Sequence, residues 1–344
     1  MTLSERVVAL LDNPLISKDA VSRMRTWRAP MTLTIYLGLL SAFGYASFVT
    51  TTLMSPSQRT GSALIGAGVF SYLAFIQLSL VSLFAPALAA GAISGERERQ
   101  TFDVLLVSRM TAAAIVFGKL VSSVAFMLLL ILSALPLFAA VFLFGGIDFE
   151  QFLVTQLLTV TTAITIGAVS LFLSAAFRRT LSSTVVSYGV AFAGMIGTLV
   201  AGLLFTLALM LRAPGGLNGT GDSHPLLFAN PFYALFVVLN DPNGTPEPVG
   251  RLVQLLFFVN GQPATLGPSI EPWQAAVLVQ IVLVTLSIAG AIHLVQSRRA
   301  PTPWRPPVPP ELVSAGPGEP AGAEDDLPPL TPLSGHEGGR EATP

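Results

Sequence analysis

The sequence predicts an all-α integral membrane protein with six transmembrane helices. Of its 344 residues, 52% are hydrophobic and 11% are charged, whereas a soluble domain carries about 25% charged residues. Six segments are long and apolar enough to cross a bilayer as helices, which takes about 20 residues each. Most of the charged residues lie between or beyond these segments. Lipid rather than water is therefore the expected solvent for most of the chain.

The predicted spans follow one another through the first 300 residues. Pro86 and Pro136 fall inside the second and third spans, where each removes a backbone donor and is expected to kink its helix. Gly145 and Gly146 are expected to form a tight turn after the third span. The predicted bounds are 31–54, 62–94, 112–144, 152–177, 181–211 and 273–296.

The distribution of lysine and arginine predicts the orientation of the spans. These residues cluster in the N-terminal segment, in the loop after span two, in the turn after span four and in the C-terminal segment. The remaining connections carry only Arg59, Arg212 and Arg251. Because basic loops stay in the cytoplasm, both termini and the loop after span two are expected to be cytoplasmic.

The segments outside the spans divide the chain further. Residues 1–30 are basic and amphipathic, which favours a cytoplasmic elbow helix on the inner leaflet, although a solvated basic leader would give the same composition. Within the six-span domain, 31–297, the external loop at about 212–272 holds two apolar runs too short to span. They are read as re-entrant helices or, alternatively, as an external cap without membrane contact. The proline-rich tail, 298–344, is expected to be disordered and cytoplasmic.

Several function classes are disfavoured by what the sequence lacks. No acidic or basic residue lies deep within a predicted span, which argues against ion-coupled transport. There are no cysteines, and the three histidines are scattered, so no metal site is expected. Neither a phosphate-binding GxxxxGK[ST] loop nor a catalytic set of side chains is present. With a net charge of −1 the chain also has no attraction for nucleic acid. We therefore expect no enzyme activity and no cofactor on this chain. The lipid bilayer is its expected environment.

The charged loop, residues 95–119, concentrates ionisable side chains between spans two and three. It begins "GERERQTFDVLLVS", and the alternating charges from 96 to 99 are expected to keep this end of span two in water. Thr101 is a suitable helix N-cap, and Asp103 suits the first turn of a helix. Phe102, Leu105 and Leu106 are spaced i, i+3 and i+4, as on one helix face.

Ser108 and Thr111 then end this short helix and begin span three. The pattern predicts a cytoplasmic helix at about 96–111 with one apolar face and a charged rim. Such a surface suits docking of another protein. The alternative is an ordinary loop whose charges serve only to fix the orientation of the spans.

These residues resemble the cytoplasmic signature of permease subunits of type-2, exporter-like ATP-binding-cassette (ABC) transporters. The segments "NPLISKDAVSRMR" and "LPLFAAVFLFGGID" resemble the elbow and the third span of that family, and the resemblance covers about residues 10–297. It is especially close to the branch named for multi-copper enzyme maturation. Gln100 departs from a common glycine, and Arg109-Met110 departs from a common proline–hydrophobe pair.

The resemblance implies a permease that pairs with a second copy or a homologous permease and with a separate cytoplasmic ATPase, which would hold ATP and Mg²⁺. It further implies ATP-driven transport, with export as its direction, across the cell (inner) membrane of a prokaryote. A non-transporting membrane scaffold that recruits a cytoplasmic partner through the same loop is the alternative. The residues implied to couple to the ATPase are Glu96, Glu98, Thr101, Phe102, Asp103, Leu105, Leu106, Ser108 and Lys119.

Overall fold

A computed structural model describes residues 27–54, 62–101, 111–212, 227, 229–239 and 271–297. All of them belong to one unit, Met1–Ala300. Within these ranges the chain is almost entirely helical and contains no strand. Six helical segments among them are long and apolar enough to cross a membrane. The predicted all-α, six-span architecture is therefore confirmed.

The described residues form ten α-helices, and all of them except α9 contribute to the six spans, some joined end to end. Span one is α1, span two is α2 with a short continuation α3, and span three is α4 followed by α5. Span four is α6, span five is α7 and α8 joined by a π-helical turn, and span six is α10. The helix bounds are α1 Arg28–Met54, α2 Ser62–Ala89, α3 Ser94–Glu98, α4 Ala112–Ser133, α5 Leu135–Phe142, α6 Phe149–Ala176, α7 Thr180–Phe192, α8 Thr198–Arg212, α9 Pro231–Leu239 and α10 Pro272–Ser297.

Both predicted prolines lie near interruptions of their spans. Helix α2 continues through Pro86 and ends three residues later at Ala89, and a turn at 90–93 precedes α3. Span three is interrupted at Ala134, where α4 gives way to α5 with Pro136 in its first turn. A proline can occupy the first turn of a helix because the amide there needs no partner within the helix.

Span five contains a feature that the sequence did not predict. Its α-helix gives way to a π-helical turn at Ala193–Gly197 and resumes at Thr198. A π turn widens the helix, and such turns occur frequently at functional sites.

Spans two and four form the centre of the bundle, and spans one, five and six are largely exposed. The main apolar core contains Tyr36, Phe70, Phe138, Leu158 and Ala276, which come from five different spans. On the outside, large apolar side chains such as Leu181 and Leu286 are exposed. An apolar exterior of this extent is stable only in lipid.

The turn after span three makes close backbone contact with the start of span two. Gly145 and Gly146 have φ values of +76° and +82°, which glycine adopts without strain. A Cβ atom on Gly146 would overlap the carbonyl oxygen of Ala63, and one on Gly66 would overlap the carbonyl oxygen of Gly145. The predicted tight turn is confirmed, and it lies at the end of the bundle opposite the charged loop, which we call the opposite end.

Candidate coupling site

The charged loop begins at the break that ends α2, and span four supports that break. The fully buried Ser174 hydroxyl accepts hydrogen bonds from the backbone amides of Ile93 at 3.0 Å and Ser94 at 2.9 Å. Gly91 faces span five, where a Cβ atom would lie 3.1 Å from the methyl group of Thr180. Buried amides need partners, and span four supplies one here.

Span five also contributes to this break. The Ser183 hydroxyl donates to the Ala90 carbonyl oxygen at 2.8 Å, and the Tyr188 hydroxyl donates to the Leu83 carbonyl oxygen at 3.0 Å. Leu83 lies next to Ser82, whose carbonyl oxygen is the one that loses its usual helical donor to Pro86. The interrupted end of span two is therefore hydrogen-bonded to spans four and five.

Glu96 forms a salt bridge with Lys119 of span three. The Lys119 Nζ atom lies 3.0 Å from Glu96 Oε1, with side-chain exposures of 6% for Lys119 and 30% for Glu96. The Thr101 hydroxyl donates to the other carboxylate oxygen of Glu96. Lys119 lies two turns inside α4, not in the preceding loop. A buried ammonium needs a nearby anion, and the charged loop supplies it.

Arg97 binds the end of span four. Its Nη1 atom donates to the Phe177 carbonyl oxygen at 3.0 Å, and its Nη2 atom donates to the Ala175 carbonyl oxygen at 2.9 Å. The last carbonyl groups of a helix have no partner within the helix and carry the negative end of its dipole. The guanidinium group of Arg97 donates hydrogen bonds to these carbonyl groups and places a positive charge at the negative end of the helix dipole.

Glu98 binds the start of span five. Its Oε1 atom accepts a hydrogen bond from the Thr180 amide at 2.8 Å, and its Oε2 atom accepts one from the Thr180 hydroxyl. Thr180 is the first residue of α7. A carboxylate is stabilised at a helix N-terminus because the first amides are unpaired there and the dipole is positive.

Helix α3 ends in a Schellman motif. The Gln100 amide donates to the Arg97 carbonyl oxygen and the Thr101 amide to the Glu96 carbonyl oxygen, both at 3.0 Å. Gln100 has a φ of +58°, a conformation that favours glycine. This is the position where the resembling permeases commonly have glycine, so the departure places a strained residue at the end of α3.

The charges at 96–99 are predicted to keep this end of span two in water, and the structure shows that the four side chains differ in exposure. Glu98 and Arg99 are exposed, but Glu96 and Arg97 are half-buried and bound to neighbouring spans. Sequence reasoning missed Arg97, Ser174 and Thr180 as members of the site. Arg97 stood in the charged run, but its acceptors are backbone carbonyl groups that no sequence motif marks.

The structure describes four of the nine predicted coupling residues. It brings Glu96, Thr101 and Lys119 into one cluster and joins Glu98 by hydrogen bonds to Thr180 at the start of span five. Thr111 lies at the start of span three, as predicted, and the structure shows that its hydroxyl caps the helix by accepting from the Ala114 amide at 3.2 Å. The other five predicted residues lie outside the described residues and are Phe102, Asp103, Leu105, Leu106 and Ser108.

The described residues offer no group of three His, Cys, Asp or Glu side chains that could hold a metal ion. The polar contacts of Glu96, Arg97 and Glu98 instead join the charged loop to three membrane spans. The fold and this site together define a multi-pass helical membrane protein with a charged loop bound to its spans.

The family follows from a comparison with known families. The model of the ABC-2 family transporter proteins matches residues 14–291, which is most of the chain. The chain therefore belongs to the ABC-2 family and is a membrane permease of an ABC transporter. Proteins of this family are membrane transport components that associate with a cytoplasmic ABC ATPase. A comparison with curated proteins gave no match.

Proposed function

We propose that this permease transports its substrate with energy from ATP hydrolysed on a separate cytoplasmic ATPase, and that the direction is export. The ATPase would carry ATP and Mg²⁺, and a second permease copy or a homologous permease would complete the transporter. Its location would be the cell membrane of a prokaryote, with both termini and the charged loop in the cytoplasm. We place it near the multi-copper enzyme maturation branch of the family, without a copper site of its own.

The observation that carries this proposal is the run Glu96-Arg97-Glu98. These three consecutive residues bind three different spans: Glu96 binds span three, Arg97 binds span four and Glu98 binds span five. A partner that pulls or pushes the next few residues would act on all three spans through hydrogen bonds and one salt bridge. An ordinary loop that only fixes orientation would need charge, but it would not need these contacts.

The ATPase would dock on the segment that follows α3. Phe102, Leu105 and Leu106 have the spacing of one apolar helix face. An apolar anchor at the centre of an interface often contributes about 2 kcal/mol or more to binding. Glu98 and Thr101 precede this segment in the chain and are exposed, and they would form part of its rim.

The experiment separates docking from transmission of the movement. The chain is purified in detergent with the ATPase that co-purifies with it, and ATP turnover is measured after reconstitution into vesicles. Leu105→Ala combined with Leu106→Ala should remove most of the bound ATPase. The matched control is Leu153→Ala combined with Leu157→Ala, which changes two exposed leucines of span four near the opposite end and should leave ATPase binding unchanged.

Arg97→Lys supplies the second arm of this experiment. Lysine keeps the positive charge but cannot donate from two fixed nitrogen atoms to the Ala175 and Phe177 carbonyl groups. We expect ATPase binding to persist while ATP turnover is no longer coupled to transport. Full binding and full turnover in the double leucine variant would contradict the docking surface. An ATPase that binds and turns over without any transport would favour the scaffold alternative.

A further inference from the structure

Two polar side chains are buried where span one packs against span two. Tyr36 of α1 and Gln77, near the middle of α2, are both fully buried. The Tyr36 hydroxyl lies beside the Gln77 carboxamide, and the Tyr36 ring packs edge-on against Phe84 at a centroid distance of 6.4 Å. Both polar groups therefore lie inside the bundle, away from its two ends.

Neither group has a hydrogen-bond partner in the part of the chain that the structure describes. The Tyr36 hydroxyl oxygen and the Oε1 and Nε2 atoms of Gln77 are all inaccessible and unpaired there. The Nε2 atom of the buried Gln280 in span six, by contrast, donates to the Thr162 hydroxyl oxygen of span four at 3.0 Å. An unpaired polar group at membrane depth is costly because lipid offers it no partner. Tyr36 and Gln77 therefore need a further partner.

A direct bond between the two side chains would not satisfy both of them. A tyrosine hydroxyl has a single proton to donate, whereas a carboxamide has an acceptor oxygen and an NH₂ group that donates. If the Tyr36 hydroxyl donated to Oε1 of Gln77, the Nε2 donors would still have no acceptor among the described residues.

A water molecule has the hydrogen-bonding capacity that this pair lacks. It can donate to Oε1 of Gln77 and at the same time accept from Nε2, because the two atoms belong to one carboxamide. Its remaining capacity is then available to the Tyr36 hydroxyl. This arrangement uses about three hydrogen bonds, the number that is usual for a buried water molecule.

We propose that spans one and two enclose a hydration site in which one ordered water molecule bridges the Tyr36 hydroxyl and the Gln77 carboxamide. A water-mediated hydrogen bond is nearly as favourable in enthalpy as a direct one. The bridge would therefore stabilise the attachment of span one to span two at this depth. The site lies within a single chain and does not depend on the transport function proposed above.

Hydroxyl-radical labelling tests this site directly. An X-ray pulse generates the radicals from water, and they react before they diffuse far, so a buried aromatic ring is modified only beside a bound water. The full chain in lipid nanodiscs is irradiated, and the modified residues are found by mass spectrometry. Tyr36 should be modified about tenfold faster than Phe138, an equally buried ring in the apolar core, because only Tyr36 has polar groups to hold a water.

Two matched substitutions locate the water. Gln77→Met keeps the length of the side chain but removes both hydrogen-bonding atoms, and should lower the modification of Tyr36 to about the rate of Phe138. Gln280→Met makes the same change at another buried position and should leave the modification of Tyr36 unchanged. Gln77→Asn keeps the carboxamide in the core but withdraws it from Tyr36, and should also lower the rate.

The measurement on the unchanged chain is decisive by itself and needs no variant to fold. Equal rates at Tyr36 and Phe138 would overturn the proposal, because Tyr36 would then have no water of its own. Modification of Tyr36 that persists in both Gln77 variants would also overturn it, because the carboxamide would not hold the water.

Discussion

Lys119 of span three lies 3.0 Å from the Glu96 carboxylate, although the two residues are 23 positions apart. The ammonium group is nearly inaccessible, whereas Glu96 remains partly exposed. The two partners therefore depend on this salt bridge to different degrees. The lysine needs the opposite charge more than the glutamate does, because water and the Thr101 hydroxyl also solvate the carboxylate.

This asymmetry predicts unequal effects of two substitutions. Glu96→Gln keeps the shape but removes the negative charge beside a buried ammonium, and should lower the free energy of unfolding by about 1–3 kcal/mol. Lys119→Met removes the buried charge and should cost less. Titration of the purified chain with SDS measures both, and the double variant gives the coupling energy. Equal losses in the two single variants would contradict the asymmetry.

Gln100 predicts a substitution that stabilises the chain. Its φ of +58° costs a residue with a side chain about 1 kcal/mol relative to glycine. Gln100→Gly should therefore raise the melting temperature of the detergent-solubilised chain. Gln100→Ala is the matched control, because it removes the same side chain but keeps the backbone strain, and it should give no such gain.

The glycine turn at the opposite end predicts a strong and local sensitivity. Gly146→Ala would combine a φ of +82° with overlap of the Ala63 carbonyl oxygen, and should destabilise the chain by about 2 kcal/mol or more. Gly38→Ala in α1 has no neighbouring atom within 4 Å and should be neutral or slightly stabilising. SDS titration measures the free energy of unfolding of both variants. Similar losses of stability in the two would contradict the close contact between Gly146 and the Ala63 carbonyl oxygen.

The orientation can be tested with single cysteines. Arg99 and Glu150 are both exposed and lie at opposite ends of the bundle. A membrane-impermeant maleimide added to intact cells should label Glu150→Cys readily and Arg99→Cys only after permeabilisation. The reverse pattern would place the charged loop outside the cell, which would exclude contact with a cytoplasmic ATPase.

The sequence by itself determined the number, order and approximate bounds of the spans. Lipid requires about 20 consecutive apolar residues for each crossing helix, so a local count is sufficient to find them. The start of span three at Thr111 and the turn at Gly145 and Gly146 could also be predicted, because each depends on a residue type and its immediate neighbours. The docking residues between Thr101 and Thr111 remain a prediction from local spacing alone.

Only the tertiary structure decided what the charged residues contact. Arg97 reaches a carbonyl group 80 positions away, and Glu98 reaches an amide 82 positions away. Asn230 meets a π turn 35 positions earlier in the chain. Such partners depend on which helices pack side by side and at what depth. The acceptors are backbone groups at helix ends and at an irregular turn, and every residue type carries the same backbone groups, so no residue pattern identifies them.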